Sequence, residues 1–290
     1  MCENTIFIGN GINRITNDNK SWQNILCKII SYLHKAGSIE YKDKPFTLLY
    51  EEIFLRGLRF REVSEKELKS VIAKEILNMK PNNYHEELYN LPVKNIITTN
   101  YDYTLERNKN QKKEIKPLTT TGKKPQTRYR INTYNNEQNK KIWHIHGEAK
   151  NPDTLVLGHE KYSNVLKKIM EHVSNYNVNS PSSNNSWIDL FYNTNVHILG
   201  FGYDYTEIDL WWLINNRARS KYKEEINITN KLIYYIPKIN NTISDKEQKK
   251  LQLLNYHDVD IEEIGCSSFK DFYNKSLIKI KKTLDNIIEI

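Results

Sequence analysis

Short apolar runs recur along the chain, and each ends abruptly in glycine or in polar residues. Thr5 to Ile8 closes on Gly9-Asn10-Gly11, and Val93 to Thr99, introduced by Pro92, passes into Asn100-Tyr101-Asp102. Lys141 to His146 (KIWHIH) alternates into Gly147, and VHILGFG at 196 to 202 closes on Gly200 and Gly202. KLIYYIP (231 to 237) and DVDIEEI (258 to 264) are two more such runs, while LVLG at 155 to 158 is a short strand or a turn. Runs of this length and composition, bounded by turn formers, predict strands.

Helical spacing fills the intervals. In SWQNILCKIISYL, 21 to 33, Trp22, Ile25, Leu26, Ile29, Ile30 and Leu33 lie on one face behind Ser21, a candidate N-cap. Residues 46 to 90 are helical as well, with Ser64 and Glu67 in capping-box spacing. HEKYSNVLKKIMEHV (159 to 173) and the terminal segment from Ser268 are amphipathic, and Thr206 with Asp209 is expected to cap the helix carrying TEIDLWWLINNRA. NVNSPSSNNS, 177 to 186, reads as a loop. Helices alternating with strands that are apolar nearly throughout predict an α/β fold, a Rossmann-like, mostly parallel sheet with helices on both faces. We expect one domain over residues 1–290, with a helical insertion at about 40–91 and a basic loop at 107–140.

Composition narrows the class. The chain has 290 residues, 38% hydrophobic and 27% charged, which is enough to bury a core and excludes a disordered protein. A mean hydropathy of -0.71 implies a very polar surface. Between Arg107 and Arg130 nine basic residues stand against Glu114 alone, an excess equal to the +8 of the whole chain. Such a run attracts phosphate or acidic partners, yet its Thr, Gln, Asn and Pro content reads as a solvated loop, so direct nucleic-acid contact is the weaker expectation. The three cysteines are isolated, which argues against a structural zinc site or a disulfide framework and fits a reducing cytoplasm. No apolar run approaches membrane-spanning length and the first residues do not form a secretory leader, so we expect a cytoplasmic protein with no membrane contact.

The unusual residues cluster at predicted strand ends, where α/β sheets place ligands. Gly9-Asn10-Gly11 is half of a dinucleotide fingerprint, since Arg14 occupies the position of a third glycine; it suits either a backbone close to phosphate or an ordinary strand-to-helix turn. Thr99-Asn100-Tyr101-Asp102 offers an amide and a carboxylate, or simply a turn or cap. In WHIHG, His144 and His146 share one side of a strand; the spacing suits proton transfer by His146, a structural role, or a metal pair completed by Asp102, His159 or His197. We expect proton transfer by His146 and no metal.

The ordered set of a glycine turn, TTNYD, WHIHGE and VHILGFG resembles the sirtuin family, and more closely the bacterial sirtuin-like NAD hydrolases of anti-phage defence. The resemblance covers about residues 5 to 265. It implies a single NAD-binding domain with Gly9, Asn10, Gly11 and Asn13 around the cofactor phosphates and Thr99 among the cofactor-binding residues. It further implies Asn100 beside the nicotinamide ribose, Asp102 facing the carboxamide, His146 as the base, and Gly200 and Gly202 in the segment beside the adenosine half. The four-cysteine zinc module of deacetylating sirtuins is missing, Asn13 replaces the usual Ser, and Gly-Phe-Gly-Tyr stands where a hydroxyl residue usually follows the glycine. The missing zinc module moves the expected activity from deacetylation to NAD hydrolysis, NAD being the substrate, while the other two departures bear on phosphate and ribose contacts. A non-catalytic NAD or ADP-ribose sensor and a protein deacylase are the alternatives. The resemblance also implies a homo-oligomer or assembly with a translocase ATPase, with region 46 to 90 and the terminal helix as candidate surfaces, although their apolar stripes read first as core.

Overall fold

A computed structural model describes residues 3–15, 21–31, 33, 38–61, 63–107, 131–133, 140–175 and 186–285. Most of the basic run, the 177 to 185 part of the predicted loop and Cys2 lie outside these residues. Strand β1 (Asn4–Ile8) runs into a 3-10 turn at Asn10–Ile15, and four helices follow: α1 (Trp22–Ile30), α2 (Phe46–Arg59), α3 (Glu65–Leu77) and α4 (Asn83–Tyr89). Then come β2 (Asn95–Thr98), β3 (Ile131–Thr133), β4 (Lys141–His144), α5 (His159–Ser174), α6 (Trp187–Asn193) and β5 (Asn195–Leu199). The chain continues through α7 (Ile208–Tyr222), β6 (Leu232–Ile239), α8 (Asp245–Tyr256), β7 (Val259–Cys266) and α9 (Phe269–Asp285).

The strands form one sheet in the order β3-β4-β2-β1-β5-β6-β7, parallel throughout except for β3 against β4. This is the expected Rossmann-like architecture. The central strands are buried on both sides because each face meets helices. Phe7, Ile97, Trp143 and Ile198 pack against Trp187, Phe191 and Leu213 on one face, while Ile6, Ile8, Ile96 and Ile142 meet Leu88, Phe272 and Leu277 on the other. Period-two alternation assigns Phe7 to one core and its neighbours Ile6 and Ile8 to the other.

A third apolar cluster joins α1, α2 and α3 through Ile25, Ile29, Leu49, Ile53, Leu68 and Ile72, and the same cluster includes Tyr101 and Tyr103 from beyond β2. These helices are thereby anchored next to a strand end. Ser64 caps α3, its hydroxyl accepting from the Glu67 amide while the Glu67 carboxylate accepts from the Ser64 amide, a reciprocal pair worth roughly 1 kcal/mol. Ser21 caps α1 by accepting from the Asn24 amide.

The structure departs from the sequence expectations in specific places. β4 ends at His144, and His146 lies in the turn beyond it. Helices α6 and α8 and the antiparallel edge strand β3 are additions. Thr206 does not cap α7: its hydroxyl donates to Asp204 Oδ1 at 2.8 Å, the helix has no side-chain cap, and Asp209 is engaged elsewhere.

Candidate functional site

In the sheet order, β2 and β4 lie on one side of β1 and β5 to β7 on the other, so the topological switch falls between β1 and β5. Ligand crevices in such sheets open at the carboxyl ends of the strands at this point. Here the two strand ends touch backbone to backbone, Gly9 N donating to Leu199 O at 3.1 Å and Gly11 N to Gly200 O at 2.9 Å. A Cβ on Gly9 would stand 2.5 Å from Gly200 O, and one on Gly200, whose φ is +63°, would stand 2.1 Å from the Tyr273 hydroxyl oxygen. The glycines therefore serve a seam between strands. In this structure the Gly9 and Gly11 amides, expected beside phosphate, both donate to main-chain carbonyls.

Next to the seam lies a cavity of about 580 Å³, within the range of small-molecule sites, roughly 300–1000 Å³. Four strand ends contribute to it: Asn10 and Gly11 after β1, Thr99 after β2, His146 after β4, Gly200 and Gly202 after β5. Arg14, Glu207 and, from α9, Tyr273 are among the other polar residues of its wall. Asn100 sits between two lining residues, Thr99 and Tyr101, and is 2% exposed. Its Nδ2 donates to Gly9 O at 3.3 Å, and its Oδ1 is buried with no hydrogen-bond partner among the described residues.

Asn13 and Asp102 are not among the lining residues; they belong to a buried network behind it. Asp102 Oδ2 accepts from Asn13 Nδ2 at 2.8 Å, and its Oδ1 accepts from the Thr104 amide at 2.9 Å and the Thr104 hydroxyl at 2.5 Å. Asn13 Oδ1 lies 3.0 Å from His85 Nε2, while His85 Nδ1 accepts from the Asn82 amide at 3.0 Å. That acceptance fixes the proton on Nε2, which donates to Asn13. Burial draws the His85 imidazole down to about 4 against the opposing pull of Asp102, in keeping with a neutral ring. The network braces the first turn, α4 and the end of β2.

The two histidines of WHIHG part company. His144 points to the buried Glu106, Nε2 to Oε1 2.5 Å, with Nδ1 2.9 Å from Asn100 O. Burial pulls its imidazole down, but Glu106, helped by the Asn100 carbonyl and Glu148, outweighs this and the ring is raised to about 9. His146 lines the cavity, its Nε2 2.9 Å from Asp209 Oδ2 and its Nδ1 3.8 Å from Glu207 Oε2. Burial lowers this imidazole too, and the carboxylates of Asp209 and Glu207 together hold it above its ordinary value. Burial pushes the Glu207 carboxyl up to about 7, His146 opposing and Asp209 reinforcing, while Tyr162 donates to its Oε2 at 2.9 Å.

One donor atom each from His146, Glu207 and Asp209 lie within 4.8 Å of one another, the geometry a small cation would need. The partners expected for a metal do not gather there. His197 is hydrogen bonded to Tyr235 and Asn4 inside the sheet, Asp102 is in the network described above, and His159 opens α5 at the surface.

The family model of the SIR2-like domain matches residues 94–258, more than half of the chain. This chain belongs to the SIR2-like domain family. No curated protein matches it. SIR2-like domains take NAD as substrate, and the matched stretch carries β2 through α8, with Asn100, His146, Gly200, Glu207 and Asp209 inside it. The first glycine turn and α9 fall outside the match, although Gly11 and Tyr273 both line the cavity. No helix among the described residues of this SIR2-like chain is long and apolar enough to cross a membrane.

Sequence reasoning did not find Glu207, Asp209 or Tyr273. Asp209 stood at capping spacing from Thr206, and Tyr273 lay on a helix read for its apolar stripe. A local signal did exist for Glu207 and Asp209, two acids two residues apart in the segment that follows a strand closing on glycine.

Proposed function

We propose that this SIR2-like chain is an NAD hydrolase that cleaves the nicotinamide–ribose bond to give nicotinamide and ADP-ribose. The observation that supports it best is the meeting of His146 with Thr99, Gly11 and Gly200 around one cavity at the switch of the sheet. Two buried polar atoms at this cavity, Asn100 Oδ1 and the Tyr273 hydroxyl, have no hydrogen-bond partner among the described residues. Buried polar groups are nearly always paired, so these two favour a ligand that supplies the missing bonds.

Nicotinamide leaves NAD as a neutral molecule from a cationic ring, through an oxocarbenium-like state that needs little acid assistance. The protein's tasks are to hold the ribose, exclude bulk water and admit one nucleophile. In this reading Asn100 positions the ribose or the water, and His146 takes a proton from the nucleophile, help worth roughly 10² to 10⁴ in rate. Asp102 acts on the carboxamide only if ligand binding draws it out of its network with Asn13. Its present engagement is the observation that favours the second reading, an NAD or ADP-ribose sensor without turnover.

We place the domain as one unit with the helical insertion at about 40–91, acting as an NAD-depleting effector of bacterial anti-phage defence in a homo-oligomer or beside a translocase ATPase. Leu48, Leu55 and Leu58 of α2 are exposed large apolar side chains that such an assembly would cover. The test is incubation of the purified chain with NAD while free nicotinamide is followed. Release that is lost in both Asn100→Ala and His146→Ala, with the fold intact, supports hydrolysis. Undiminished release in both variants dismisses the assignment, and calorimetric binding of NAD without release by any form of the assembled protein selects the sensor.

A further inference from the structure

His146 differs from an ordinary cavity-wall histidine in being held by a carboxylate that no solvent reaches. Asp209 is 0% exposed, in the first turn of α7, and its Oδ2 is 2.9 Å from His146 Nε2. A neutral imidazole has one N–H and one lone pair. A lone pair on Nε2 would face an anionic oxygen at hydrogen-bond distance, so the proton belongs on Nε2 and the lone pair on Nδ1. On that second side stands Glu207, which, unlike Asp209, lines the cavity.

We propose that Asp209 is a positioning residue for His146: it accepts the Nε2 hydrogen, orients the ring, and leaves Nδ1, beside Glu207, as the nitrogen that exchanges a proton with a ligand in the cavity. The inference rests on the hydrolase reading for its chemical step. In that step a water O–H proton passes to Nδ1 as the water oxygen bonds to the ribose C1′. The C1′–N bond breaks with its electron pair going to nicotinamide, and the proton is afterwards given to solvent.

Several groups around the ring bear on its titration. Asp209 and Glu207 approach from the start of α7, and Asp204 acts on Glu207 from the segment before it. Tyr162 packs edge-on to the imidazole from α5, ring centres 5.3 Å apart, and Tyr101 reaches the same acids from beyond β2. Both phenols remain neutral across the working pH range, since burial and these carboxylates raise them well above their usual value. The two carboxylates at α7 therefore dominate.

Two measurements on the full chain test the proposal separately from the activity. Nitrogen-15 histidine NMR, with the His146 signals assigned by their loss in His146→Gln, should show the neutral ring protonated on Nε2. In Asp209→Asn, which preserves shape and removes charge, its midpoint should fall by about one pH unit or more. The Nδ1–H form in the native chain, an unchanged midpoint in Asp209→Asn, or Zn²⁺ that binds in place of the Nε2 proton would each overturn it. The native-chain tautomer decides the matter by itself should Asp209→Asn not fold. In nicotinamide release, Asp209→Asn should lower kcat about 10- to 100-fold with KM nearly unchanged and move the acid limb of the rate profile to lower pH. A limb that stays in place refutes the positioning role. If no form releases nicotinamide, the hydrolase reading fails while the NMR outcome still stands or falls alone.

Discussion

The two acid–imidazole pairs, His144–Glu106 and His146–Asp209, stand two residues apart in the chain and use the same chemistry toward different ends. His144 and Glu106 are both sealed, 1% and 0% exposed, and the ring's second nitrogen meets a main-chain carbonyl. His146 is as deeply placed, yet its free side looks onto Glu207 and the cavity. A pair whose imidazole nitrogens are both engaged away from any cavity can only contribute to folding, whereas one with a nitrogen facing a cavity can exchange a proton. Access, more than the pairing itself, separates structure from chemistry here.

The comparison breaks most visibly in kinetics. His146→Ala should reduce nicotinamide release roughly 10² to 10⁴-fold in a chain that still unfolds cooperatively, and, because it leaves Asp209 buried without its partner, it should also lower the thermal midpoint, as read by a nicotinamide assay beside calorimetry. Next in size is the sealed pair. Glu106→Ala leaves His144 buried without its counter-ion and should cost about 3–5 kcal/mol in urea unfolding. A loss under 1 kcal/mol would mean the pair is idle.

A pH series sharpens the same point. His144 is raised in the folded state to about 9, so its contribution to stability is fully present below the unfolded value of about 6.5 and disappears as pH climbs through about 9. Urea midpoints should fall by a few kcal/mol equivalent between pH 6 and pH 9.5, and Glu106→Gln should flatten that slope. The smallest effect expected is at Tyr273→Phe. Its hydroxyl is buried without a partner among the described residues, so the change should leave stability equal or slightly higher while weakening NAD binding several-fold by calorimetry.

Much of the fold could be read from period and punctuation alone. The apolar runs became β1, β2, β4, β5, β6 and β7, and Ser21 and Ser64 capped the helices they precede. α6 escaped because all of Trp187 to Tyr192 is buried and so shows no amphipathic period, although Ser186 and Asp189 form a capping box. α8 escaped for the opposite reason, with only Leu251 and Leu254 buried along its length. The strand ends that line the cavity were legible because glycine and polar residues interrupt apolar runs. The partners of His146 were not, since Asp209 lies 63 residues further along the chain and its local spacing spelled a helix cap.

One wall of the cavity comes from the last described helix. A fragment cut to the matched region, 94–258, would lack β1, its glycine seam and all of α9, hence Gly11, Arg14 and Tyr273 together. Such a piece would carry the histidine and the amide yet offer its substrate half a vessel. Whoever trims this chain to its recognisable middle should expect an empty assay for reasons of architecture, and a fragment worth testing must keep both β1 and α9.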